Sequence, residues 1–166
     1  MHKTQFRSSK EDLSKRATVY ASDLFSGKTV VVTGAGGGLG LAIATLFARL
    51  GANLAINGRN EEKLALAKEF LESFGGEVFA VPMTIREPEQ VEDFVAKTNQ
   101  EFGAIDVLVN NAGGQFPQAA LEFSPKGWNA VIDTNLNGTW WMMQSTARHW
   151  VANKQSGSIV NIVADI

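Results

Sequence analysis

The chain of 166 residues contains no cysteine, which excludes disulfides and thiolate metal centres. That absence fits a reducing compartment, and a cytoplasmic location is the expectation. There are two histidines, His2 and His149, too far apart in sequence to suggest a metal pair. Tyrosine occurs once, at Tyr20. No apolar run is long enough to span a bilayer, and the first 22 residues lack the apolar core of a signal peptide. Glu11 and Asp12 among the early cations argue against a transit peptide. Neither charge sign dominates. Fifteen Lys and Arg against 17 Asp and Glu give a net charge of −2, which points to neither nucleic acid nor an anionic membrane as partner. A hydrophobic content of 45% at this length suits one globular domain.

What the chain does have is glycine in a particular place. Thr33-Gly34-Ala35-Gly36-Gly37-Gly38-Leu39-Gly40 follows the apolar run Thr29-Val30-Val31-Val32, which reads as a buried strand. It precedes an amphipathic stretch in which Leu39, Ile43, Leu46, Phe47 and Leu50 have helical spacing. Glycines at a strand-to-helix turn let backbone approach a ligand closely. The helix N-terminus behind them offers free N–H groups and a positive dipole end. This is the setting of a dinucleotide-binding βαβ unit. Its candidate cofactor-binding residues are Gly34, Gly36, Gly38, Leu39 and Gly40. A P-loop is excluded, because Gly27-Lys28-Thr29 precedes the strand and Ser22 stands where that motif needs its first glycine.

From Gly27 onward strands and helices alternate. Strands are expected near residues 29–33, 53–57, 77–81, 105–109 and 158–163. Helical faces fall between them, one carrying Leu64, Ala67, Leu71 and Phe74, another Val91, Phe94, Val95, Thr98 and Phe102. Gly51, Gly75-Gly76, Gly103 and Gly157 precede the next strands and are expected as left-handed C-caps. Ser124-Pro125 reads as N-cap and N1 of the longest helix, running to about Lys154. Strands apolar on both faces with alternating helices mean an α/β fold, a doubly wound parallel sheet of Rossmann-like order 3-2-1-4-5. Residues 1–24 read as a peripheral arm, with Ser8-Ser9-Lys10-Glu11 able to form a capping box. Residues 25–166 form the dinucleotide-binding domain.

The end of the second strand selects the cofactor. A ribose 2′-hydroxyl calls for an acid there, and a 2′-phosphate calls for a cation. The chain reads Ile56-Asn57-Gly58-Arg59-Asn60, with no carboxylate before Glu61. Arg59 suits a charge-assisted phosphate contact, which favours NADP(H) over NAD(H). The plain alternative is that Arg59 is a solvated cation at a helix start. At the expected switch point, Asn110-Asn111-Ala112-Gly113 follows Val107-Leu108-Val109. Asn111, Ala112 and Gly113 could face the cofactor or merely form a turn.

Taken together, Thr33–Gly40, Asn110–Gly113 and Asp133-Thr134-Asn135 resemble the short-chain dehydrogenase/reductase family from about Gly27 to the end of the chain. Gly113-Gly114-Gln115-Phe116, Ser124-Pro125-Lys126-Gly127-Trp128 and Gly157-Ser158-Ile159-Val160-Asn161-Ile162 are most similar to its trans-2-enoyl-CoA and 2,4-dienoyl-CoA reductase branch. Some similar bacterial members are assigned to terpene-alcohol oxidation. The resemblance implies an enzyme that transfers hydride between a nicotinamide and a carbonyl, a conjugated alkene or an alcohol. An acyl-CoA or other small molecule would be its substrate. It implies a catalytic role for Asn135, which matches the Asn that opens a helix and holds a water in a proton relay. It also implies an adenine contact at Thr84-Ile85, where the family carries an Asp.

The sequence departs from that pattern at several places. The family's Tyr-x-x-x-Lys lies beyond its catalytic Ser, and Ala164 stands where that Ser is expected. Asp165 is the nearest substitute, and Tyr20 is misplaced for the acid/base role. The expectation is an N-terminal part of a longer reading frame, with the C-terminal part of the family fold missing and turnover absent in these 166 residues. Trp140, Trp141, Met142, Met143 and Trp150 exceed what one helix face can bury, so some are expected at a homo-oligomer interface. A noncatalytic nucleotide-binding module remains the alternative to an enzyme.

Overall fold

The structure is a computed structural model that describes residues 8–115 and 117–163. Its elements run in chain order α1 (Lys10–Lys15), β1 (Thr29–Val32), α2 (Gly38–Arg49), β2 (Asn53–Gly58), α3 (Glu61–Glu72), β3 (Val78–Pro82), α4 (Pro88–Phe102) and β4 (Val107–Asn110). A short 3₁₀ turn at Ala120–Glu122 follows. After it come α5 (Pro125–Ile132), a π-helical turn (Asp133–Gly138), α6 (Thr139–Asn153) and β5 (Ser158–Asn161).

The five strands form one parallel sheet in the order β3-β2-β1-β4-β5, as the sequence predicts. Alternation along β1 sends Val30 and Val32 to one face and Val31 to the other. On the first face they meet Leu41, Ala44 and Ala48 of α2 and Leu64, Ala67 and Leu71 of α3. On the second, Val31 and Leu108 join Val91, Phe94 and Val95 of α4 with Met142 and Trp150 of α6. Two apolar layers therefore clamp a central sheet, as parallel sheets require.

Several local expectations are corrected. Of the predicted α2 stripe, Ile43, Phe47 and Leu50 pack on the core but Leu39 and Leu46 are exposed, and the fully buried face of the helix is Gly40, Leu41, Ala44, Thr45 and Ala48. Small side chains let this helix lie close to the glycine turn and the sheet, a Cβ at Gly40 already reaching the Gly34 carbonyl oxygen. Gly51, Gly75 and Gly103 have positive φ as expected, but Gly76 and Gly157 do not. Lys154, at φ 53°, makes the left-handed exit from α6. Gly157 is instead a packing glycine, since a Cβ there would enter the ring of Trp150. The capping box sits one residue later than Ser8, with Ser9 as N-cap and Asp12 as its reciprocal partner. Helix α1 is tied to α2 by Arg49, whose guanidinium donates to the carbonyls of Leu13 and Arg16.

The long helix begins at Ser124-Pro125, with Ser124 capping Gly127 N–H. The π turn at Asp133–Gly138 divides it. Single π turns of this kind concentrate at functional sites.

Candidate functional site: a glycine-cradled cleft at the strand ends

A cleft of about 430 Å³ opens over the carboxyl ends of the strands. Gly34 and Gly36–Gly38 line it after β1, Asn57–Asn60 at the end of β2, Met83–Arg86 after β3 and Asn111–Gly113 after β4. Lys63 and Thr134 complete the wall. This is the crevice where open α/β sheets bind ligands, at the point where the strand order reverses.

The glycine turn is held from three directions. Thr33, fully buried, accepts the N–H groups of Asn111 (3.0 Å) and Ala112 (2.9 Å) at its hydroxyl. Asn111 returns its side-chain amide to the Thr33 carbonyl at 2.9 Å. Asn57 accepts Gly34 N–H at its Oδ1 (3.2 Å). Gly34 needs to be glycine because its φ is +69° and its missing Cβ would lie 3.0 Å from Ala112 Cα. Gly40 is glycine for contact, since a Cβ there would come within 2.5 Å of the Gly34 carbonyl oxygen. No side chain caps α2, whereas Asn60 caps α3 and Ser124 caps α5. The first-turn N–H groups of α2 therefore remain available, and they carry the positive dipole end.

The cleft's charge is one-sided. Arg59, Lys63 and Arg86 line it and no Asp or Glu does. Among the described residues, Arg59 and Lys63 have no ion-pair partner. Lys63 occupies the third position of α3, where the helix dipole favours an anion, so its presence there works against the helix. Asn57 Nδ2 is buried and has no hydrogen-bond partner. Such orphans mark places where a polar ligand or water belongs.

At the β4 end, Asn135 stands in the π turn with both side-chain amide atoms engaged. Its Nδ2 donates to the carbonyls of Gly114 (2.7 Å) and Val131 (2.9 Å), and its Oδ1 accepts Gly114 N–H (3.1 Å). It therefore grips the peptide of Gly114 as a neighbouring strand would. A Cβ at Gly113 would lie 2.8 Å from Asn135 Oδ1.

Of the sequence-predicted residues, Gly34, Gly36, Gly38, Arg59, Thr84, Ile85, Asn111, Ala112 and Gly113 meet at one cleft. Leu39 and Gly40 lie in the first turn of α2 outside its wall, and Asn135 lies behind Gly113 and Gly114. Ala164 and Asp165 fall outside the described residues. Sequence reasoning missed Lys63 and Arg86. Both carry the signal that singled out Arg59, a cation just beyond a strand's carboxyl end. Among the described residues no group of His, Cys, Asp or Glu could hold a metal ion. No described helix is long and apolar enough to cross a membrane.

Comparison with known proteins gives this architecture its class. The family described as short chain dehydrogenase matches residues 28–166. The chain is 39% identical over 137 residues to a probable 2,4-dienoyl-CoA reductase of Bacillus subtilis, covering 82% of this chain and 54% of that protein. It is 39% identical over 142 residues to gluconate 5-dehydrogenase of Gluconobacter oxydans, covering 84% and 55%. Among solved structures, the citronellol catabolism dehydrogenase of Pseudomonas aeruginosa superposes with a TM-score of 0.83 at 38% identity, covering 89% and 60%. The chain belongs to the short-chain dehydrogenase family. It spans about half the length of the curated relatives it matches.

Proposed function

We propose that this chain is the cofactor-binding part of an NADP(H)-dependent oxidoreductase that moves hydride to or from an enoyl-CoA, carbonyl or alcohol. The observation that carries the reading is the cleft's three cations without a single acid, with Arg59 at the end of β2. A dinucleotide brings two phosphates, and its 2′-phosphorylated form brings a third. Gly34, Gly38 and the uncapped start of α2 suit the pyrophosphate, because they present backbone N–H groups with no side chain in the way. Arg59 and Lys63 suit the 2′-phosphate. The buried amide of Asn57 is a donor waiting for an acceptor. Thr84 and Ile85 wall the side assigned to adenine.

When bound, the nicotinamide supplies or takes the hydride. The chain's own part is positional. Thr33 and Asn111 hold the glycine turn against the end of β4. Asn135 fixes the Gly114 peptide and, being an amide, carries no proton of its own to give. The match at 39% identity to a dienoyl-CoA reductase supports an acyl-CoA substrate, and the citronellol catabolism relative supports an alcohol.

Calorimetric titration with NADPH and NADH tests the cofactor reading. Arg59→Ala should weaken NADPH binding by roughly ten- to a hundred-fold, the loss of one charge-assisted contact, and leave NADH little changed. Equal weakening of both would make Arg59 structural.

A binding module without turnover is the second reading, and one observation favours it. No tyrosine lines the cleft, and Tyr20 is exposed in the segment before β1. The 166-residue chain should bind NADPH yet not oxidise it on crotonyl-CoA, a dienoyl-CoA or a simple ketone. General acid catalysis is typically worth about 10²–10⁴-fold. Substrate-dependent oxidation by this chain would show that one of its residues, Asp165 first, delivers the proton.

A further inference from the structure

The loop after β3 and the π turn touch at two points. Ile85 is buried against Gly138, where a Cβ would lie 2.6 Å from Ile85 Cγ1 and 2.9 Å from the Ile85 carbonyl oxygen. One residue on, Arg86 Nε donates to Thr134 Oγ1 at 2.6 Å. Thr134 Oγ1 donates in turn to the Ala130 carbonyl at 2.9 Å. The next residue, Asn135, donates to the Val131 carbonyl and grips Gly114. A Thr hydroxyl bonded back to its own helix one turn earlier bends that helix. Here the hydroxyl is also pinned from outside by a cation.

We propose that Arg86 is a positioning residue which, through Thr134, fixes the π turn so that Asn135 meets the Gly114 peptide, and that it couples occupation of the cleft to that contact. Three features carry this. Arg86 and Thr134 both line the cleft. Arg86 commits its Nε to Thr134, while among the described residues no hydrogen bond or ion pair engages its terminal guanidinium nitrogens. Arg86 N–H is itself held by Thr84 Oγ1 at 3.3 Å, so its backbone is set by the same turn that forms the cleft wall. An anion in the cleft that engages the free nitrogens closes a path from the cleft through Thr134 to Asn135. The link to a nucleotide rests on the function proposed above, whereas the Arg86–Thr134–Asn135 latch stands without it.

Amide exchange followed by NMR on the 166-residue chain separates these. The probes are Gly114 N–H and the Asn135 side-chain amide. In the ligand-free protein, Arg86→Gln and Thr134→Val should each exchange roughly tenfold faster than wild type at both probes, the ratio expected for one charge-assisted hydrogen bond. Thr134→Ser keeps the hydroxyl and should exchange like wild type. Combining Arg86→Gln with Thr134→Val should add nothing to Thr134→Val alone, because that variant already removes the Arg86–Thr134 contact along with the bond to the Ala130 carbonyl. Wild-type exchange in Arg86→Gln, or additive effects in the double variant, would overturn the latch. Saturating NADPH should slow exchange at Gly114 in wild type and less so in Arg86→Gln. Equal slowing in both would overturn the coupling. If calorimetry shows no uptake of NADPH by wild type, the functional reading fails, and the ligand-free comparison still decides the latch.

Discussion

Strands β1 and β5 invite comparison. Each has four residues, and each is rich in β-branched side chains, Thr-Val-Val-Val against Ser-Ile-Val-Asn. Every residue of β1 is buried and every residue of β5 is exposed. Their composition does not explain the difference. Position does, because β1 lies mid-sheet between β2 and β4 with a helical layer on each face, whereas among the described residues β5 pairs only with β4. The cleft inherits this asymmetry. Its glycine turn hangs from β1 and is anchored by buried groups, Thr33 and Asn57. Beyond β4, Thr33 still holds Asn111 and Ala112, but Gly114 hangs from one exposed side chain, Asn135. The glycine-turn end of the cleft is thus anchored by buried groups, and the Gly114 end by an exposed amide.

The sharpest way to break that contrast is to hollow out the buried layer. Phe94 is fully buried on α4 and stacks on Phe79 with ring centroids 6.1 Å apart. Phe94→Ala should cost about 3–5 kcal/mol in urea unfolding, enough to threaten the fold. Next comes Thr33→Val, which keeps shape but removes the acceptor for two N–H groups. Leaving both unpaired should cost about 2–4 kcal/mol and weaken dinucleotide binding with it. A loss near zero would mean that water replaces the hydroxyl and that the turn is less enclosed than Thr33 implies. The smallest effect belongs to β5. Val160→Lys should change stability by about 0.5 kcal/mol or less. It should also reduce concentration-dependent association in light scattering, because an open strand edge invites pairing and a lysine discourages it. A large destabilisation there would erase the distinction between the two strands.

Most of the framework was legible in the sequence because it follows from patterns that tolerate no alternative. Val30, Val31 and Val32 in a row require cover on both faces, and that implies a parallel sheet between helices. The glycine turn after β1 then locates the cleft. The face of α2 was not legible, because Leu39 and Leu46 outweigh Ala44 and Ala48 in any count of hydrophobicity. Close approach selects small residues, and no periodicity reveals how near two elements come. Gly157 misled for the same reason, its smallness being set by a tryptophan seven residues earlier. Lys63 and Arg86 needed the third dimension. Lys63 lies in the first turn of α3 and Arg86 in the loop after β3, and only the pairing of β2 with β3 brings them to one cleft wall.

That tryptophan has an optical consequence. Trp150 fills the space beside Gly157 and donates its indole N–H to the Ile105 carbonyl at 2.7 Å, whereas Trp128 and Trp140 face solvent. An enclosed indole emits at shorter wavelength than a wet one. The chain's fluorescence is therefore a blend of a blue component from Trp150 with the half-buried Trp141 and a red component from Trp128 and Trp140. Watching the blue component alone during unfolding reports when α6 leaves the sheet.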